Sequence, residues 1–205
     1  MENYLVLNGT KIELTESQVQ EIKGSFGSKL VKLSKFKPGE IVRIGGYEFI
    51  VLEQSGDTTA VITKDLLKER VTFGKNNNYD GSNVDDICNK FAKTMIEAVG
   101  DDNVIEFTVD LTSDDGLKDY GKIKRKAALL TCELYRRHVY ILDKFKPDKW
   151  WWLATAYSTP SHDNTYWAKC VSPVGIIRGD FYYYYFSGVR PFCILNSNIF
   201  VSKED

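Results

Sequence analysis

Glu40-Ile41-Val42-Arg43-Ile44-Gly45-Gly46-Tyr47-Glu48-Phe49-Ile50-Val51-Leu52 reads as two β-strands joined by a two-glycine turn. β-Branched and aromatic side chains suit a pleated, half-buried surface, and a glycine pair accepts the positive φ angles of a two-residue hairpin. Gly56-Asp57 then turns the chain into a third strand, Thr58–Thr63. Downstream the pattern changes period. After a loop at Asn76–Asp80, Ser82 stands where an N-cap belongs, and Val84, Ile87, Cys88, Phe91, Met95 and Val99 recur at helical spacing up to Gly100. That stripe reads as core. Val104–Leu111 reads as a strand and Ala127–Leu130 as a short buried one, and Thr131 caps a helix from Cys132 to about Tyr140. From Trp150 onward strands dominate: Trp151–Ala156, Tyr166–Val171, Ile176–Ile177, Phe181–Phe186 and Val189–Leu195, punctuated by Pro160, Pro173, Gly179 and Gly188. Strands, then helices, then strands predict an α+β fold with a largely antiparallel sheet.

Upstream, Tyr4–Leu7 and Lys11–Leu14 flank Asn8-Gly9, a type I′ turn signal, so the chain begins with a second hairpin. Thr15-Glu16-Ser17-Gln18 follows with capping-box spacing and predicts a helix to about Gly24. A hairpin and helix are too small to be stable alone. Residues 1–26 therefore read as an attachment element that packs on the main body or on a second copy in a homo-oligomer. Residues 27–35 read as a linker with some helical character, and residues 36–205 as the main domain.

The 205 residues fit one good-sized domain with a small attachment. A 43% hydrophobic composition excludes a disordered tail, and no apolar run approaches the roughly 20 residues of a membrane span. Met1-Glu2-Asn3-Tyr4 lacks the features of a secretory signal, so a cytoplasmic protein is expected. With 27 basic against 28 acidic side chains, the net charge of −1 disfavours nucleic acid and anionic membrane as partners. Locally, eight acids (Glu97, Asp101, Asp102, Glu106, Asp110, Asp114, Asp115, Asp119) precede nine bases between Lys122 and Lys149. These segments either dock a charged partner or, the simpler reading, neutralise one another, with Lys122–Lys126 on a solvated loop. Cys88, Cys132, Cys170 and Cys193 are widely spaced, and His138 and His162 are the only histidines, so no zinc site of usual spacing arises. Four reduced, buried thiols are expected, and no cofactor or metal is called for.

Candidate binding residues concentrate in the last third. In a strand, Phe181, Tyr183 and Tyr185 would share one face and Tyr182, Tyr184 and Phe186 the other. Either the second set is an exposed recognition surface, or the sheet is covered on both faces. Between strands, the polar loop Ser158–Thr165 carries His162, Asp163 and Asn164, flanked by Tyr157, Tyr166 and Trp167. Its oxygens suit calcium or sugar hydroxyls, although Asp-Asn in a turn more simply bonds its own backbone. Nothing matches a phosphate-cradling glycine loop, a serine elbow or a paired-carboxylate motif.

Trp151-Trp152-Leu153-Ala154-Thr155-Ala156, the turn at Gly175, and Ser187-Gly188-Val189-Arg190-Pro191-Phe192-Cys193-Ile194-Leu195 resemble, in order, the WWLRSP-like strand, V-x-x-x-G turn and GVRPAL-like strand of an uncharacterised domain family common in Gram-positive bacteria and their phages. Gly45–Leu52 and Leu129-Leu130-Thr131-Cys132-Glu133 resemble its upstream elements, and the resemblance spans Phe36 to Leu195. Ala154-Thr155-Ala156 replaces the family's Arg-Ser-Pro. The resemblance implies a fold akin to C-type lectins and formylglycine-generating enzymes, with Trp151, Trp152, Gly188 and Arg190 structural. The close cysteine pair of the enzymes and the calcium and sugar motifs of true lectins are missing. The expectation is a non-enzymatic recognition module of phage or prophage origin, cytoplasmic or virion-associated. It would bind a protein or glycan through Tyr157, His162, Asp163, Asn164, Tyr166, Trp167, Tyr182 and Tyr184. Two alternatives stand beside it: a formylglycine-generating-enzyme-like oxidoreductase using Cys170 or Cys193, and a phage inhibitor of a host defence or regulatory protein.

Overall fold

The computed structural model describes residues 3–7, 10–25 and 30–203. In chain order the elements are β1 (Asn3–Leu7), β2 (Thr10–Leu14), α1 (Glu16–Ser25), β3 (Leu30–Lys32), β4 (Ile41–Ile44), β5 (Tyr47–Ser55), β6 (Thr58–Thr63), α2 (Asn83–Val99), β7 (Val104–Ile105), β8 (Phe107–Asp110), β9 (Lys122–Arg125), β10 (Ala127–Ala128), α3 (Cys132–Arg137), α4 (Val139–Leu142), β11 (Trp151–Ala156), β12 (Trp167–Val171), β13 (Ile177–Phe181), β14 (Phe192–Asn196) and β15 (Phe200–Lys203). The class is α+β with mostly antiparallel sheets. Two compact units divide the chain. One takes the chain up to Ile62 with Ala92–Ile105 and the stretch from Cys193 onward; the other takes Thr63–Phe91 and Glu106–Phe192.

In the first unit β1 and β2 pair antiparallel, and the Asn8-Gly9 turn between them lies outside the described residues. The capping box forms: Gln18 N–H donates to Thr15 Oγ1 at 3.3 Å while Thr15 N–H donates to Gln18 Oε1 at 2.9 Å. The main sheet runs β14-β6-β5-β4-β15-β3, with β7 beside β14. The β4–β5 turn is Gly45-Gly46, both at positive φ (57° and 84°), and a Cβ on Gly45 would come within 2.8 Å of Ala98 Cβ. Phe49, Ile50, Val51 and Leu52 are all buried, so β5 is covered on both faces. The expected linker instead holds β3, which pairs with β15, and a single 3-10 turn at Leu33–Lys35.

The second unit holds the antiparallel sheet β11-β12-β13 and the pair β8–β9. Its core joins Phe73, Tyr79, Val84, Cys88, Val109, Leu129, Trp152, Ala168, Cys170 and Val189. Ser82 caps α2 as expected, its hydroxyl accepting from Asp85 N–H at 3.2 Å. Thr131 caps α3, accepting from Leu134 N–H, also at 3.2 Å. All four cysteines are buried thiols.

Several sequence expectations are corrected. Val104–Leu111 is two strands, β7 and β8, which pair with different partners. The helix after Thr131 breaks at His138, where φ −107° and ψ 13° leave the helical region. Lys122–Lys126 is largely strand β9, because its alternation lets Ile123 turn inward toward the core while Lys122 and Lys124 face water. The segment Val189–Leu195 becomes strand only from Phe192. Finally, Phe181–Phe186 is not a strand: β13 runs Ile177–Phe181 and the chain then turns, with Tyr184 N–H donating to Phe181 O at 3.0 Å.

Candidate functional site

The turn after β13 gathers the aromatic residues of the second unit. Trp167 opens β12 and Phe181 closes β13, and antiparallel pairing sets the two opposite each other. Their ring centroids are 4.4 Å apart. Tyr182 adds one more rung, its N–H donating to Tyr166 O at 2.9 Å and its O accepting from Phe73 N–H at 2.8 Å. Its side chain is half-buried against the core, so Tyr182 anchors the turn. Beyond it, Tyr183, Tyr184, Tyr185 and Phe186 are 49%, 39%, 59% and 63% exposed. The alternating-face expectation therefore fails for a geometric reason, since a turn has no two faces.

Ring contacts run through this surface without a break. Tyr157 meets Trp167 at 6.4 Å. Phe181 stacks on Tyr183 at 5.1 Å and 22°, Tyr183 meets Tyr184 edge-on at 5.1 Å, and Tyr184 meets Phe186 at 6.0 Å. Tilted and edge-to-face pairs are worth about 1 kcal/mol each beyond area burial. Tyr157 and Tyr166 are exposed as well.

The adjacent loop Ser158–Thr165 is pinned from three sides. Asp115 accepts from the Ser158 and Ser113 hydroxyls and lies 3.0 Å from His162 Nδ1. Asp119 accepts from the Thr159 hydroxyl at 2.7 Å and the Ser161 N–H at 3.0 Å. Asn77, fully buried, donates through Nδ2 to Ser158 O at 3.0 Å and Trp167 O at 2.9 Å. Its own Oδ1 accepts from the Tyr120 phenol at 2.6 Å. Desolvation pushes the Asp115 carboxyl up, but hydrogen bonds from Ser113, Ser158 and His162 outweigh it and hold the group well below the usual carboxylate range. Hydrogen bonds from Ser161 and Thr159 lower Asp119 in the same way.

Asp163 and Asn164 serve the backbone here. Asp163 takes the left-handed region at φ 54° after the 3-10 turn Pro160–His162, and Asn164 Oδ1 accepts from Tyr166 N–H at 3.3 Å. Among the described residues, no group of three or more His, Cys, Asp or Glu side chains is placed to hold a metal ion. The Ser158 hydroxyl points at Asp115 and not at the imidazole, so these three residues lack the serine-to-histidine hydrogen bond of an activated nucleophile.

Beneath the site lies its support. Trp151 and Trp152 are buried, and Trp152 Nε1–H donates to Val71 O at 2.8 Å. Gly188 bridges Trp151 on one side, its N–H donating to Trp150 O at 2.7 Å. A Cβ there would collide with Lys68 O and, at 2.6 Å, with Leu66 Cδ1. Arg190 is fully buried, donating to Thr63 O at 2.8 Å, Lys64 O at 2.9 Å and Phe145 O at 3.1 Å, with its guanidinium over the Trp151 ring at 5.4 Å.

The charge runs meet at two pairs, and Arg125 of the basic run pairs outside them. Asp110 pairs with Lys122 at 2.9 Å, Asp114 with Arg136 at 3.0 Å, and buried Asp85 with Arg125 at 2.7 Å. Sequence reasoning overlooked Asp115, Asp119 and Asn77, whose partners stand about 40 to 90 residues away in the chain. Their acidic and Asn-rich surroundings read as solvated loops, and no local spacing distinguished them. Scans of the chain against protein-family models, curated proteins and solved structures find no match.

Proposed function

We propose that this chain is a recognition module of phage or prophage origin, with a C-type-lectin-like main domain, that binds a protein or glycan without covalent chemistry. The observation that carries the reading is the run of exposed, mutually contacting rings from Tyr157 and Trp167 to Tyr183, Tyr184 and Phe186. A contiguous apolar patch of this kind is rare on a surface that meets only water. Tyr and Trp also offer large contact area at low side-chain entropy cost. The pinned loop beside it supports the same reading, because a fixed shape lowers the ordering cost of binding. Among the described residues no helix is long and apolar enough to cross a membrane, which fits a site that works in water.

The oxidoreductase alternative has less support. Cys170 is buried in the core, its thiol directed at Arg178 O at 3.7 Å and pushed up to about 12 by burial, so it is not poised as a free thiolate. The charge-steered inhibitor is also less supported, because Asp110 and Asp114 of the acidic run are already paired with Lys122 and Arg136 of the basic run.

The test compares the chain with its Tyr184→Ala, Tyr185→Ala double variant on a printed glycan array and on immobilised lysate of Gram-positive cells. Loss of a specific captured species, with the melting temperature within about 2 °C, supports the reading. Equal capture by both proteins, or unfolding of the variant together with a singly substituted Tyr185→Ala, overturns it.

A further inference from the structure

The second unit carries a half-open polar cavity of about 340 Å³ lined in part by Asp110, Thr112, Asp114, Thr131 and Arg136. We infer that this cavity is a binding site for a single neutral, polyhydroxylated ring, a sugar residue. The inference rests on the recognition reading above and deepens it by choosing the ligand class.

Size comes first. The volume lies at the lower end of the range of small-ligand pockets, which suits one ring and not a peptide. Chemistry decides the rest. Every charge on the wall already has a partner. Asp110 pairs with Lys122 and accepts from the Thr112 hydroxyl at 2.6 Å. Asp114 holds Arg136 at 3.0 Å on Oδ1 and Lys169 at 2.8 Å on Oδ2. Glu133, also on the wall, pairs with Arg137 at 3.0 Å. An ionic ligand would find each of these charges already matched by an opposite one.

Hydroxyl groups can use the donor and acceptor sites that these pairs leave open. A carboxylate has about four lone-pair sites, and those of Asp114 are half used. Arg136 spends one of its five N–H groups on Asp114. Thr131 Oγ1 accepts from Leu134 N–H and keeps its own proton to donate. The wall thus offers both donors and acceptors in balance, and an alcohol is the group that donates and accepts at once. Apolar rings find little here, because the lining is mostly polar side chains.

The cavity also connects to the aromatic surface. Lys169 Nζ, which holds Asp114, lies 5.0 Å from the centre of the Tyr157 ring. One buried cation therefore touches both Asp114 of the cavity wall and the first ring of the exposed series.

Saturation-transfer NMR on the full chain tests this with neutral probes (glucose, galactose, mannose and N-acetylglucosamine) and two ionic controls, glutamate and arginine. The expected result is binding of at least one neutral sugar, weakened at least tenfold in Arg136→Met and in Glu133→Gln and retained in Tyr184→Ala. Agreement of the two cavity variants guards against a folding defect in either. Binding lost in Tyr184→Ala but kept in both cavity variants would move the sugar to the aromatic surface, overturning the cavity assignment while leaving the recognition reading intact. Binding of glutamate or arginine alone would overturn the neutral-ligand class. No binding of any sugar, with Tyr184-dependent capture persisting, would overturn the inference and spare the function.

Discussion

Arg190 is a buried charge in the second unit. Its guanidinium is completely buried and is held by three main-chain carbonyls, not by a bonded carboxylate. Desolvation pulls its pKa down to about 10, so it still enters the interior charged at neutral pH. Replacing it by methionine would strand the carbonyls of Thr63, Lys64 and Phe145, each costing about 1–3 kcal/mol when buried without a partner. Arg190→Met is therefore expected to lower stability by about 3 kcal/mol in urea unfolding, net of the relief from burying no charge. An unchanged midpoint would mean that those carbonyls find other donors. Gly188 is constrained as tightly, by the nearness of Lys68 O and Leu66. Gly188→Ala is expected to cost about 1–3 kcal/mol by overpacking, measured the same way. Residues of this kind were legible early where their role is local: Ser82, Thr131 and the Thr15–Gln18 pair declare their caps by spacing alone.

Among the elements, the Ser158–Thr165 loop shows how far a loop can be made rigid by distant side chains. Asn77 alone satisfies carbonyls at Ser158 and Trp167 and takes the Tyr120 proton. Asn77→Ala is expected to cost about 2 kcal/mol and to speed amide hydrogen exchange across residues 158–165 while leaving β11 and β12 protected. Uniform protection would assign the loop's order to other contacts. The acids give a pH signature. A carboxyl whose folded pKa is lowered adds stability that is full above its unfolded value near 3.9 and lost as pH falls through the folded value. Asp119 and Asp115 are both lowered, and hydrogen bonds from Thr112 and Lys122 bring Asp110 to about 2. The Ser161 amide resonance, bonded to Asp119, should titrate with a midpoint below 3.9; a midpoint at the ordinary value would remove Asp119 from the pinning. None of this was legible, because the partners are far apart in sequence and an isolated Asn or Asp looks like any turn residue. Phe181–Phe186 misled for the opposite reason. Six aromatic residues carry every strand propensity and no glycine or proline to announce a turn, yet Tyr182 is tied to Tyr166 and Phe73 and the chain bends immediately after it.

At the scale of the whole molecule, the α+β class followed from strand and helix periodicity, whereas the division into units did not, because each unit is assembled from separated stretches of chain. The first unit depends on its last strand. β15 pairs with both β3 and β4, and Ile199 and Val201 are buried. Ending the chain after Asn198 removes both side chains, worth about 2 kcal/mol each on burial. The melting temperature is expected to fall by about 10 °C for a chain of this size. A fall of less than 2 °C would show that β3 and β4 close on each other without it. The opposite holds where β13 ends. A strand residue must satisfy neighbours on both sides, but the tip from Tyr183 to Phe186 is exposed and meets the scaffold through the rings of Phe181 and Tyr182. Exchanging those four positions as a cassette would leave the scaffold's bonding scheme untouched, so molecules differing only at this fingertip could share one architecture and grasp different targets.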